Sequence, residues 1–265
     1  RGDMTSALAL TEPDAGADAA GIRTTAVKDG SEWVINGSKL WISWADTVDF
    51  FIVIAVTDQE KRSRGGMTAF LVDRDAPGLD ISAPIPTMGE QRPFGLFFDN
   101  VRVADDAVLG EIGNAFPPLT NRLGVRRVEI GARCTGQAQR MIDMMCSYSL
   151  ERHTFGAPLA DRQSVQNMIA DSVMELHAVR LMVHDAATAL DAGERDIRLE
   201  ASSVKVQATE MLSRVVDRAM QVHGAMGYSK ELPIEYVYRN SRVLRILEGP
   251  SEIHRGQVAK LSIKR

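Results

Sequence analysis

The decapeptide RILEGPSEIH, residues 245–254, sets a lone carboxylate, Glu248, beside a Gly-Pro pair that reads as the start of a final helix. Pro250 suits the first helical position and Gly249 the cap, which puts Glu248 just outside an amide-rich helix start. The positive helix end favours the ionised carboxylate, whereas burial raises its pKa toward the range of a general base. Both a base and a structural carboxylate serving the helix dipole fit the local sequence.

Four further stretches hold residues suited to binding. ALTEPDAGADAAG, residues 9–21, offers a threonine, a proline turn and two further glycines that let backbone amides approach an anion; it also reads as a solvated loop. LWIS, residues 40–43, places Trp41 and Ser43 two apart, on one side of a strand, where an indole stacks on a planar ring and a hydroxyl bonds its edge. A half-buried core tryptophan is the competing reading. ERHTFGAPLADRQSVQ, residues 151–166, puts Arg152 and Thr154 at the end of one helix and Gln163 at the start of the next. The arginine fork suits a phosphate or, equally, the helix dipole. QVHGAMGY, residues 221–228, is a glycine-opened corner without the preceding strand of a dinucleotide fingerprint, and His223 reads as a packed corner residue. His177 and His184, seven apart, miss the spacing of a metal pair and read as helix-surface residues.

The elements that must position these residues fall into two halves. From about residue 20 to 104 the apolar pattern has period two, and the turn pairs Asp29-Gly30, Asn36-Gly37 and Gly65-Gly66 separate short runs such as EWVI, KLWIS, DFFIVIAV and MTAFLVD. This predicts a compact antiparallel β-sandwich or barrel over residues 1–112. Beyond it, residues 113–265 turn helical, predicting an all-α four-helix-bundle domain and an α+β chain overall. One helix carries Val165, Met168, Ile169, Val173, Leu176, Val179, Met182 and Val183 on a broad face and stops at Gly193. A second, roughly 197–222, stops at Gly224.

Composition narrows the function. The chain has 265 residues, 45% of them hydrophobic, and a net charge of −4, so no broad basic field invites nucleic acid or an anionic membrane. Two cysteines, Cys134 and Cys146, in an inward-looking helical stretch support neither a disulfide framework nor a zinc site. No secretion signal and no long apolar run is visible, which points to a reducing compartment, a bacterial cytoplasm or the equivalent of a mitochondrial matrix. The opening RGDMTSALAL has no initiator methionine and reads as part of a longer protein.

Taken in order, LTEPDAGADAAGIRTTA, INGSKLWIS, VRV followed by LG, SLERHTFGAPLADRQSVQNMIAD, QVHGAMGY and YRNSRVLRILEGPSEIHR resemble the acyl-CoA dehydrogenase family across essentially the whole chain. The resemblance implies the family's β domain and C-terminal four-helix bundle, with its N-terminal helical domain not represented. It implies FAD, with Thr11, Gly16 and Ala17 along the flavin and its phosphates, and Trp41, Ile42 and Ser43 flanking the ring. Arg152, Thr154, Phe155 and Gln163 would hold the FAD of a neighbouring subunit, and Gln221, Val222, Gly224 and Ala225 would meet it from the other side. Glu248 matches the family's catalytic base and Arg127 an arginine near it. The implied reaction is α,β-dehydrogenation of an acyl-CoA thioester to a trans-2-enoyl-CoA. An electron-transferring flavoprotein would accept the electrons, in a homotetramer built as a dimer of dimers. An oxygen-using acyl-CoA oxidase and a non-catalytic subunit of the same fold are the alternatives.

Four departures from the family pattern bear on cofactor and substrate. Ala17 stands where most members have a phosphate-binding serine, and Pro250 where many have threonine. Gly124 replaces a common acidic residue before Arg127, and MGEQRPFGLFFDNV lacks the usual serine-rich pattern.

Overall fold

The computed structural model describes residues 2–193 and 196–263. The chain divides into two compact units, Arg1–Asn121 and Arg122–Arg265.

The first unit is a seven-stranded sheet: β1 (Ser6–Ala9), β2 (Thr25–Asp29), β3 (Glu32–Ser43), β4 (Phe50–Val56), β5 (Met67–Asp73), β6 (Leu79–Ile81) and β7 (Pro93–Ala104). The order is β1-β4-β2-β3-β7-β6, with β5 on the other edge of β4. Most pairs are antiparallel, but β1 and β2 both meet β4 in parallel, a feature that period-two patterning cannot reveal. Gly30, with φ 61°, takes the first position of the two-residue turn joining β2 to β3. Trp33, Ile35, Phe51, Phe70, Leu96 and Val101 build the core of this unit.

Asn36-Gly37 is not a turn. The two residues lie inside the continuous twelve-residue β3, at a register shift against β7 between Ile35 and Gly37. Gly37 is needed there for a close approach: a Cβ would lie 2.7 Å from Thr24 Cα, and φ is 143°. A second shift, between Lys39 and Ile42, sets two residues of β3 against one of β7. It is a bulge, a device that re-aims side chains beside functional sites.

The second unit is helical, with α1 (Phe116–Glu151) entering it, then a two-strand hairpin, β8 (His153–Thr154) and β9 (Ala157–Pro158). There follow α2 (Gln163–Asp191), α3 (Arg198–His223), the single turn α4 (Ala225–Tyr228), α5 (Pro233–Val243) and α6 (Ser251–Ile263). The expected stops hold: Gly193 and Gly224, with φ 78° and 59°, follow α2 and α3. Cys134, Met141, Met145, Leu176, Val183, Val204, Leu212 and Val216 pack its core. Val173 is a correction, being 47% exposed. Ser172 takes the inward position one turn before Leu176, its hydroxyl satisfied by Met168 O, and leaves Val173 about 100° round the helix. His177 and His184 are exposed, and Cys134 and Cys146 are free thiols.

Gly131 sits mid-helix in α1, where glycine costs roughly 1 kcal/mol against alanine. A Cβ there would run into Val204 Cγ1 of α3 and lie 3.0 Å from Val183 Cγ2 of α2. Three helices thus meet at a distance that only glycine permits.

Candidate functional site

In the sheet unit the β3 bulge holds Trp41 in the left-handed region, φ 62°, with its indole 53% exposed. Ser43 is exposed as well, while Ile42 between them is 3% exposed and belongs to the core. Ile42 therefore offers no side chain to a ligand. Thr11 joins this surface, since its carbonyl accepts the amide of Leu40 at 2.8 Å.

The Thr11 loop is anchored from beneath by Glu12. Its carboxylate accepts the amides of Arg23 and Thr24 at 2.6 and 2.9 Å and the ammonium of Lys39 at 2.8 Å; Lys39 also donates to Leu10 O at 3.1 Å. Burial pushes the Glu12 carboxyl up, yet Lys39 and the amides outweigh it and hold the pKa below normal. Burial lowers Lys39 to about 8 against the opposing pull of Glu12. Gly16 and Ala17 are exposed beyond this anchor, and nothing lies within 4 Å of a Cβ at Gly16.

In the helical unit Glu248 and Gly249 are both left-handed, with φ 55° and 93°. The final helix consequently starts one residue later than expected. Pro250 is its cap rather than its first residue, its carbonyl accepting the amides of Ile253 and His254 at 3.1 and 3.3 Å. Gly249 does not cap; its carbonyl accepts the Lys205 ammonium at 2.5 Å.

The Glu248 carbonyl meets Arg127 Nε of α1 at 3.2 Å and His254 Nε2 of α6 at 3.1 Å. A carbonyl only accepts, so His254 carries its proton on Nε2, and its Nδ1 accepts from the Ser202 hydroxyl at 3.3 Å. Burial, reinforced by the Arg127 charge, lowers His254 to about 4 and keeps it neutral. Among the described residues, neither the Glu248 carboxylate nor its backbone N–H has a hydrogen-bond partner. Arg127 is lowered by burial against the pull of Glu248.

A second cluster lies at the far end of α1. Phe155 and Gly156, both left-handed at φ 50° and 80°, close the β8–β9 hairpin as a two-residue turn of mirror-image type requires. Phe155 is 98% exposed, and the Arg162 guanidinium donates to Thr154 O at 2.6 Å while lying 5.9 Å from the Phe155 ring. Arg152 and Gln163 are exposed beside the hairpin. Tyr148 of α1 stacks on His223 of α3 at 4.4 Å, which brings this hairpin to the 221–225 corner. Gln221 and Ala225 are exposed there and Gly224 turns the chain, but Val222 is 6% exposed and belongs to the core. His223 is the packed corner residue expected, with Nδ1 2.8 Å from Ala219 O.

Sequence reasoning missed Glu12, Lys39, Arg162, Ser202, Lys205 and His254. Lys205 alone left a clear trace: it occupies the inward stripe of α3 with Ala201, Val204, Ala208 and Leu212, where a charge is out of place.

Comparison with known proteins agrees with this architecture. The family model described as acyl-CoA dehydrogenase, C-terminal domain, matches residues 116–263, and that of the middle domain residues 7–101. The chain is 54% identical to (R)-benzylsuccinyl-CoA dehydrogenase of Thauera aromatica over 98% of its length, spanning 64% of that protein. It is 35% identical to cyclohexane-1-carbonyl-CoA dehydrogenase of Geobacter metallireducens, over 98% of the chain and 68% of the relative. Butyryl-CoA dehydrogenase of Megasphaera elsdenii superposes with a TM-score of 0.93 at 32% identity, covering 98% of this chain and 68% of that one. By both of its domains, then, the chain belongs to the acyl-CoA dehydrogenase family.

Proposed function

We propose that the protein oxidises an acyl-CoA thioester across its α,β bond to the trans-2-enoyl-CoA, with Glu248 as the base. The observation that carries this reading is the division of labour at Glu248. Its carbonyl is held by two donors while its carboxylate and N–H remain without partners among the described residues. A free carboxylate can take the α-proton. The adjacent free N–H can donate to the thioester oxygen, lowering the cost of charge that develops there. Arg127 supports both roles by fixing the Glu248 backbone and keeping a positive charge near its carboxylate.

The exposed surface of Thr11, Trp41 and Ser43 fits FAD: a broad indole for a planar ring and a hydroxyl for its edge. When bound, FAD would supply the acceptor for the β-hydride. Gly16 lies where an amide-rich loop can face phosphate, and Ala17 provides no hydroxyl for it. Arg152, Thr154, Phe155, Gln163, Gln221, Gly224 and Ala225 form the second binding surface. Tyr148 lies about 30 Å along α1 from Arg127. The two clusters of the helical unit therefore cannot grip one reacting ring, which supports the second serving a neighbouring subunit's FAD in a homotetramer.

An electron-transferring flavoprotein is the proposed acceptor and a cytoplasmic setting the proposed location. No described helix is long and apolar enough to cross a membrane. The 54% identity to the Thauera enzyme makes an aryl-substituted succinyl-CoA the first substrate to try.

The test is to record the visible spectrum of the full-length protein without oxygen while adding acyl-CoA thioesters of several classes. Flavin bands that bleach with one class, in the unsubstituted protein but not in Glu248→Gln, are the expected result. A protein that stays colourless after FAD is supplied, or Glu248→Gln that bleaches at the normal rate, overturns the reading.

A further inference from the structure

Lys205 has no place in the chemistry above, yet it is fully buried in the apolar stripe of α3. Placing an ammonium there is costly unless something is gained by it. Among the described residues it makes no ion pair, and its one hydrogen bond runs to the carbonyl of Gly249, the residue after the proposed base. That carbonyl belongs to a pair of left-handed residues, Glu248 and Gly249. A glutamate does not hold such a backbone unaided, and strain of this kind persists where its surroundings over-determine it.

We propose that Lys205 is a positioning residue for Glu248. By holding the Gly249 carbonyl, it locks the left-handed pair that aims the carboxylate and N–H of Glu248 away from the bundle core.

The surrounding grips are consistent with this role. Arg127 and His254 hold the Glu248 carbonyl and Lys205 the next one, so α1, α6 and α3 each contribute one donor to two consecutive carbonyls. His254 also fills the space a side chain at position 249 would need: a Cβ on Gly249 would lie 2.9 Å from His254 Nε2. The Lys205 ammonium feels the Glu248 charge without bonding to it, so it steers the base and leaves the carboxylate free to take a proton.

This inference rests on Glu248 being the base, and the experiment separates the two claims. Full-length protein carrying Lys205→Met, which keeps length and loses the donor, is compared with Lys205→Gln, which keeps a donor on a shorter arm. Flavin content, acyl-CoA affinity by spectral perturbation and the rate of anaerobic flavin bleaching are measured for each. The expected result for Lys205→Met is normal flavin content, affinity within about three-fold, and bleaching slowed about ten- to hundred-fold, with partial recovery in Lys205→Gln. Bleaching at the normal rate in Lys205→Met overturns the inference alone. So does a loss of folding in both variants, or a rate that falls only with flavin content, since either makes Lys205 a residue of core stability. No bleaching in the unsubstituted protein removes the reading of Glu248 and this inference with it.

Discussion

Among the described residues each unit buries one lysine, and the two are handled differently. Lys39, in the sheet, is neutralised by direct contact with the Glu12 carboxylate, itself satisfied by two backbone amides. Lys205, in the bundle, has only a carbonyl, while the nearby Glu248 carboxylate stays unbonded. Burial lowers both to about 8. The first arrangement is closed: every charge has its counter-charge, and what results is a rigid brace under the Thr11 loop and β3. The second is open, because pairing Lys205 with Glu248 would occupy the carboxylate that the proposed chemistry needs. On the proposed reading, the half-compensated charge serves the site and the fully compensated one the scaffold.

The largest expected effect breaks the brace. Lys39→Met strands a buried carboxylate and should cost about 3–5 kcal/mol in urea unfolding, whereas Lys205→Met strands only a neutral carbonyl and should cost about 1–3 kcal/mol. Equal losses would erase the distinction. Next in size is the coupling. In a double-mutant cycle, Glu12→Leu with Lys39→Met should recover about 2–3 kcal/mol relative to the summed single losses. Lys205→Met with Glu248→Gln should couple more weakly, by about 0.5–1 kcal/mol, since the two share charge and neighbouring backbone but no direct bond. The smallest is the response to pH. Unfolded lysine keeps its proton to about 10.5, but both buried lysines release theirs near 8. The unfolded state then holds more protons between these values, and stability should rise with pH across that window. Removing either lysine should flatten part of the rise. His254, lowered from 6.5 to about 4, adds a second slope of the same sign, stability falling as pH drops from 6.5 to 4, and His254→Gln should abolish it.

Local signals carried much of the architecture. Gly193 and Gly224 end their helices, as spacing alone predicts, and Trp41 and Ser43 are both exposed. What escaped was set by distant partners. Asn36-Gly37 looks like a turn, but Gly37 answers to Thr24 across the sheet. The four-residue β1 is too short to show a pattern and gains its identity by pairing with β4, more than forty positions on. Val173 was misplaced because Ser172, a polar residue, fills a core position by bonding its own helix. At the site, Glu248 was legible as a residue, with Arg127 near it by resemblance and Lys205 as a charge out of place in its stripe, but the bonds that hold its backbone were not. Arg127, Lys205 and His254 all bond backbone carbonyls, and a carbonyl leaves no trace in the choice of amino acid.

The close crossing at Gly131 governs which parts of the bundle are free to vary. Arg127 precedes this glycine by one helical turn, so the spacing fixed by Gly131 is also the reach from α1 to the Glu248 carbonyl. Neighbouring core positions can exchange one aliphatic for another of like volume, but position 131 has no such latitude. A lineage altering the bundle core would find this position closed to change, and any gain from a larger residue here would first have to be matched by shrinking Val204.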